Sequence, residues 1–150
     1  MKKFLKRFMV VFLTISILAT NNIAILATQV EDDQISPRYT NTEMCSLAFT
    51  VVAPGEAHIN ITYNGISGVF REARATVKIQ KRFLLIFWNT VDIGLPNNEW
   101  TATSTDREGY FYNCFDVDGT GTYRAIFTVE IIGTDGSVDL IEETREDKYS

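Results

Sequence analysis

The residues able to do chemistry are few, and three groups stand out. Asp116-Val117-Asp118-Gly119-Thr120-Gly121 sets two carboxylates ahead of two glycines, His58 is the single histidine, and Cys45 and Cys114 are the only thiols. Counted from Asp116, an EF-hand calcium loop has its turn glycine at Gly121, but the bidentate glutamate it needs at the end falls on Phe127. The flanking runs GYFYNCF and TYRAIF have strand composition and two-residue periodicity, whereas such a loop requires helices. Asp-Gly between apolar runs reads instead as a tight hairpin turn. A loose calcium site using Asp116 and Asp118 is the functional alternative. Any hydrolytic triad or histidine metal site must run through His58, and the alternation of Ala57 to Tyr63 sets that residue on a polar face with Asn60 and Thr62. No Gly-x-Ser-x-Gly, His-Glu-x-x-His or Cys-x-x-Cys motif occurs. The sequence therefore assigns no catalytic residue, no metal ligand and no cofactor. A small secreted hydrolase, built on a carboxylate pair or a cleft around His58, is the weaker alternative to a non-enzymatic role.

These groups lie on a chain marked for export. Lys2, Lys3, Lys6 and Arg7 precede the apolar run FMVVFLTISILA, and small residues follow up to Ala27, the pattern of a secretory signal over residues 1–27. The run is shorter than the roughly 20 residues of a membrane span. Beyond Ala27 there are ten basic and nineteen acidic residues, a net charge of −9. Nucleic acid is thereby disfavoured, because phosphate binding needs clustered cations. Export permits a disulfide. Cys45 shares the inward phase of Leu47, Phe49 and Val51, so a Cys45–Cys114 bridge across a sandwich core is expected, closing a 70-residue loop for about 4 kcal/mol.

The elements that must position these residues read as strands. Strand patterns run through Cys45 to Ala53, Ala57 to Tyr63, Ala73 to Gln80, Leu85 to Ile93, Trp100 to Ser104, Tyr110 to Phe115 and Tyr123 to Ile131, most of them alternating, with turn residues between them. About seven strands of this length predict an all-β, antiparallel, immunoglobulin-like β-sandwich over residues 41–137. Residues 28–40 read as a lead-in, and residues 138–150 as an acidic tail that frays after Ile141. One segment breaks the alternation: Phe83 to Trp88 (FLLIFW), directly after Lys81-Arg82. It is either a strand buried on both faces or an exposed apolar tip, and the second reading makes Phe83, Leu84 and Leu85 the candidate binding residues.

The strand Tyr110 to Phe115, with Tyr112 two positions before Cys114, resembles the tyrosine-corner end of immunoglobulin domains. More broadly, ISPRYTN (35–41), VKIQKR (77–82) and TYRAIFTVEIIGTDG (122–136) resemble short secreted proteins of unknown function from clostridial and related Gram-positive bacteria, over most of residues 35–137. FLLIF and the two cysteines depart from the pattern of that group. The resemblance implies a secreted location and no established activity or ligand. The expected role is an extracellular binding or interaction module, with a cell-envelope glycan, another protein or a host surface as partner. A membrane-active or self-assembling protein acting through FLLIFW is the alternative.

Overall fold

The computed structural model describes residues 39–84 and 86–150. The expected export segment 1–27 and residues 28–38 of the lead-in lie outside them. Eight strands are present among the described residues: β1 (Thr42–Val52), β2 (Glu56–Gly65), β3 (Phe70–Phe83), β4 (Phe87–Thr90), β5 (Glu99–Ser104), β6 (Glu108–Asp116), β7 (Gly121–Gly133) and β8 (Val138–Tyr149). One layer has the order β1-β2-β6, and the other runs β4-β3-β7-β8 with β5 also paired to β3. All the pairings are antiparallel. The chain crosses between layers at β2–β3, β5–β6 and β6–β7, so the fold is the all-β, immunoglobulin-like antiparallel sandwich that the alternation predicts.

Alternation also builds the core. Leu47, Phe49 and Val51 of β1 and Ala57, Ile59, Ile61 and Tyr63 of β2 face Ala73, Ala75, Val77 and Ile79 of β3 and the odd-numbered residues Tyr123 to Ile131 of β7. Each large apolar side chain buried there contributes about 1.5–3 kcal/mol. Tyr123 is fully buried at the start of β7, and its hydroxyl proton is shared by the Asp118 and Gly119 carbonyls, both at 2.6 Å. This is the tyrosine corner of the sandwich. It is formed by Tyr123, whereas the sequence points to Tyr112, which lies half exposed on the outer face of β6.

The corner also corrects the reading of DVDGTG. β6 pairs with β2, while β7 pairs with β3 and β8, so the segment is a crossover between layers and not a hairpin. Val117 turns into the core, and its N–H donates to the Gly55 carbonyl at 2.8 Å. Both strands of a hairpin must share a sheet, and no local turn signal reports which sheet the second strand joins.

The two cysteines are free. Cys45 stands opposite inward-facing Tyr63, whereas Cys114 stands opposite His58 on the outward face. Tyr63 in turn pairs with Gly109, so the thiols sit on opposite faces of one layer and five positions apart along β6, about 17 Å at strand rise. That exceeds the reach of a disulfide. The Tyr110 to Phe115 strand is buried on one face only, because the outer face of its layer meets solvent and no third layer covers it among the described residues.

Residues 138–149 are no frayed tail. They pair with β7 in unbroken register from Ile132↔Val138 to Gly121↔Tyr149. The inward phase of β8 carries Asp139, Glu143 and Asp147 beside Ile141, so a hydrophobic period barely shows. Polar contacts hold it instead: Asp147 Oδ2 accepts the Val51 N–H at 2.7 Å. Asp139 accepts from Thr40 N and Oγ1 and from Asn41 N and Thr42 Oγ1 at 2.7–3.1 Å. Inward-pointing charges also protect an edge strand from pairing with other chains.

Candidate functional site

The FLLIFW segment resolves into the tip of a hairpin. β3 continues two residues past Lys81↔Tyr123, its last pair with β7, and returns as β4, with Phe83↔Phe87 and Arg82↔Trp88 as the last cross-strand pairs. Phe83, Leu84, Ile86 and Phe87 are 53, 68, 73 and 56 % exposed. Solvated clusters of large apolar side chains are uncommon on soluble domains and mark contact surfaces. Leu84 adopts φ 48, the left-handed region that costs a non-glycine residue about 1–2 kcal/mol. A branched apolar residue in that conformation holds a hydrophobic side chain at the apex where asparagine or glycine would fit the backbone better.

Of the three binding residues expected from the sequence, Phe83 and Leu84 are at this tip, and Leu85 lies outside the described residues. Ile86 and Phe87 belong to the same surface and were missed because the segment was divided at Leu85, where the return strand was expected to start. That strand is shorter than expected, Phe87–Thr90 rather than Leu85 to Ile93.

Cations sit at the base of the tip. The Arg82 and Arg124 guanidinium carbons lie 4.7 and 4.2 Å from the centroid of Trp88, close enough for cation–π attraction. Arg82 also pairs with Glu146 at 2.8 Å. Lys81 donates to the Asp118 carbonyl and lies 5.2 Å from the Tyr123 ring centroid. From Lys81 to Leu84 is three residues, about 10 Å at strand rise. The order along the hairpin axis is thus apolar at the apex and charged, with both signs present, below it.

Beside the hairpin base an open cleft of about 420 Å³ is lined by Lys81, Asn89, Asp92, Asp116, Asp118 and Tyr123, among others. It gathers the two DVDGTG carboxylates and Asp92, with the Lys81 ammonium among them. No group of three or more His, Cys, Asp and Glu side chains among the described residues is arranged to hold a metal ion.

His58 lies on the outward face of β2, away from that cleft. Its Nδ1 is 2.8 Å from the Tyr112 hydroxyl and its Nε2 is 3.3 Å from Glu56 Oε2. The other potential nucleophiles are the thiols. Burial, and secondarily the nearby Glu143 carboxylate, push the Cys45 thiol up to about 11, so it is protonated at neutral pH and unreactive. Cys114 is exposed. No protein-family model, no curated protein and no solved structure matches this chain.

Proposed function

We propose that the protein is an exported binding module that docks on a lipid surface through the tip of the β3–β4 hairpin. The observation that carries this reading is the exposure of Phe83, Leu84, Ile86 and Phe87 together at one apex, above a polar base that carries charges of both signs. A bilayer has the matching order, with hydrocarbon inside and phosphate outside. An interfacial anchor buries its apolar part about 5–10 Å deep, comparable to the height of the tip above Lys81. Four such side chains, each already half buried by the hairpin, gain on the order of 4–6 kcal/mol gross on insertion. After the cost of association this supports weak, reversible contact.

The net charge of −9 beyond Ala27 opposes approach to an anionic surface, but the Debye length is about 8 Å at physiological salt. Charges farther than that from the bilayer are screened, and near the tip Lys81, Arg82 and Arg124 are offset by Asp92, Asp116, Asp118 and Glu146, so the apolar side chains carry the contact and phosphatidylglycerol should add little to it.

The test is flotation of the purified mature protein with phosphatidylcholine vesicles, with and without phosphatidylglycerol, against a Leu84→Asn/Ile86→Ser variant. Asparagine tolerates the left-handed backbone, so the variant should melt no lower than wild type while losing most of its vesicle binding. Equal flotation of both proteins would remove the tip as the contact. A wild type that ignores vesicles yet binds an envelope protein through the same residues would replace the bilayer by a protein groove.

A further inference from the structure

A second surface lies away from the hairpin, on the outward face of the β1-β2-β6 layer. We propose that this face binds an uncharged sugar chain, with Tyr110 and Tyr112 as stacking platforms and Asn60 and Thr62 as hydrogen-bonding neighbours. Tyr110 and Tyr112 are 73 and 51 % exposed on edge strand β6, two residues apart and therefore on one face, about 7 Å apart along the strand. Outward positions of an edge strand are ordinarily where lysine and other charges discourage unwanted pairing. Here they carry aromatic rings.

The rows across the layer define the rest of the surface. Thr62 stands between Tyr110 and Ser46, and Asn60 between Tyr112 and Ala48. His58 stands between Cys114 and Thr50 in the next row. No Asp, Glu, Lys or Arg occupies any of these three rows, in a chain whose charged residues make up 22 % of the whole. Charges return only at the ends, with Glu108 beyond Tyr110 and the Glu56–Asp116 pair beyond Cys114.

Chemistry selects the ligand. A face without cations gives no hold on phosphate or sulfate, and one built of threonine, serine and asparagine is too polar for a lipid tail. A pyranose ring presents a flat patch of C–H bonds, which stacks on the negative face of an aromatic ring, and a rim of hydroxyls, which needs amide and hydroxyl partners. The Tyr112 phenol is already anchored by His58 Nδ1 at 2.8 Å. Its ring is therefore held in place before any ligand arrives, which reduces the ordering cost of binding.

The experiment is retention of the purified mature protein on cellulose, chitin and insoluble mannan, three uncharged polymers that distinguish plain glucan from N-acetylated chains and from mannose chains. Wild type is compared with Tyr110→Ala/Tyr112→Ala, with Tyr110→Phe/Tyr112→Phe, and with Asn60→Asp, which puts a charge mid-face on an exposed position without disturbing the core. The expected result is retention of wild type on at least one polymer, a loss of tenfold or more for the alanine pair and for Asn60→Asp, and a smaller loss for the phenylalanine pair, which keeps both rings but not the hydrogen bond to His58. No retention of wild type on any polymer overturns the proposal. So does retention unchanged by Asn60→Asp and the alanine pair, or lost instead in Leu84→Asn/Ile86→Ser, which would assign the contact to the hairpin tip.

Discussion

Cys45 and Cys114 differ by environment alone. Raising the Cys45 thiol to about 11 lowers its thiolate fraction at neutral pH about 100-fold or more relative to an ordinary thiol near 8.5. Alkylation of the native protein by iodoacetamide at pH 7.5, followed by mass spectrometry, should label Cys114 quickly and Cys45 only after unfolding. Fast labelling of both would mean that β1 opens readily. The sequence placed Cys45 correctly on an inward phase, and it also put Cys114 on one face with Tyr110 and Tyr112. What alternation cannot tell is which of two faces points inward when both carry apolar residues: β6 has Phe111 and Phe115 on one side and tyrosines on the other. The same ambiguity hid the tyrosine corner, because Tyr112 and Tyr123 are alike as residues and differ in that Tyr112 faces solvent and Tyr123 the core.

β8 is the element that sequence patterning missed, and its attachment is mostly polar. The Asp139 carboxylate is buried. Burial disfavours its ionised form, but the hydrogen bonds from Thr40, Asn41 and Thr42 outweigh that and hold its pKa below the usual carboxylate value. A depressed folded pKa means stability that is present above the unfolded value of about 3.9 and is lost as pH falls through the folded one. Asp139→Asn should therefore cost about 2–3 kcal/mol at pH 7, since an amide accepts at one end only and leaves donors unpaired. Urea melts at pH 7 and pH 3 should show the gap between variant and wild type narrowing in acid; an equal gap at both would assign the loss to packing. Thr40 ends the expected lead-in, Asn41 is the first residue of the expected sandwich and Asp139 lies in the expected tail. Their 98-residue separation carries no local signature, which is why both ends looked unstructured. The hairpin tip was legible by contrast, since six consecutive apolar residues cannot alternate, although its exposure was one of two readings open.

At the scale of the whole molecule, the two surfaces proposed to make contacts are neutral or apolar parts of an acidic domain: a solvated apex at the end of β3 and an uncharged outer face of tyrosine, threonine and asparagine. Seven strands are legible in the sequence and polar contacts supply the eighth, whereas the layer order has no local signal; the core is the part read most completely. The stacking of Trp88 against Arg82 and Arg124 has an optical consequence. The chain holds only one other indole, Trp100, which packs edge-on against Phe115 at 6.4 Å, away from the apex. In a Trp100→Phe background the emission of the protein would therefore come from a single fluorophore seated directly beneath the tip. Adding phosphatidylcholine vesicles should shift that emission to the blue, and the Leu84→Asn/Ile86→Ser change should abolish the shift. An unmoved spectrum in a sample that floats with vesicles would locate the contact elsewhere. The protein thus carries its own unlabelled reporter, able to give the kinetics of docking as well as its extent.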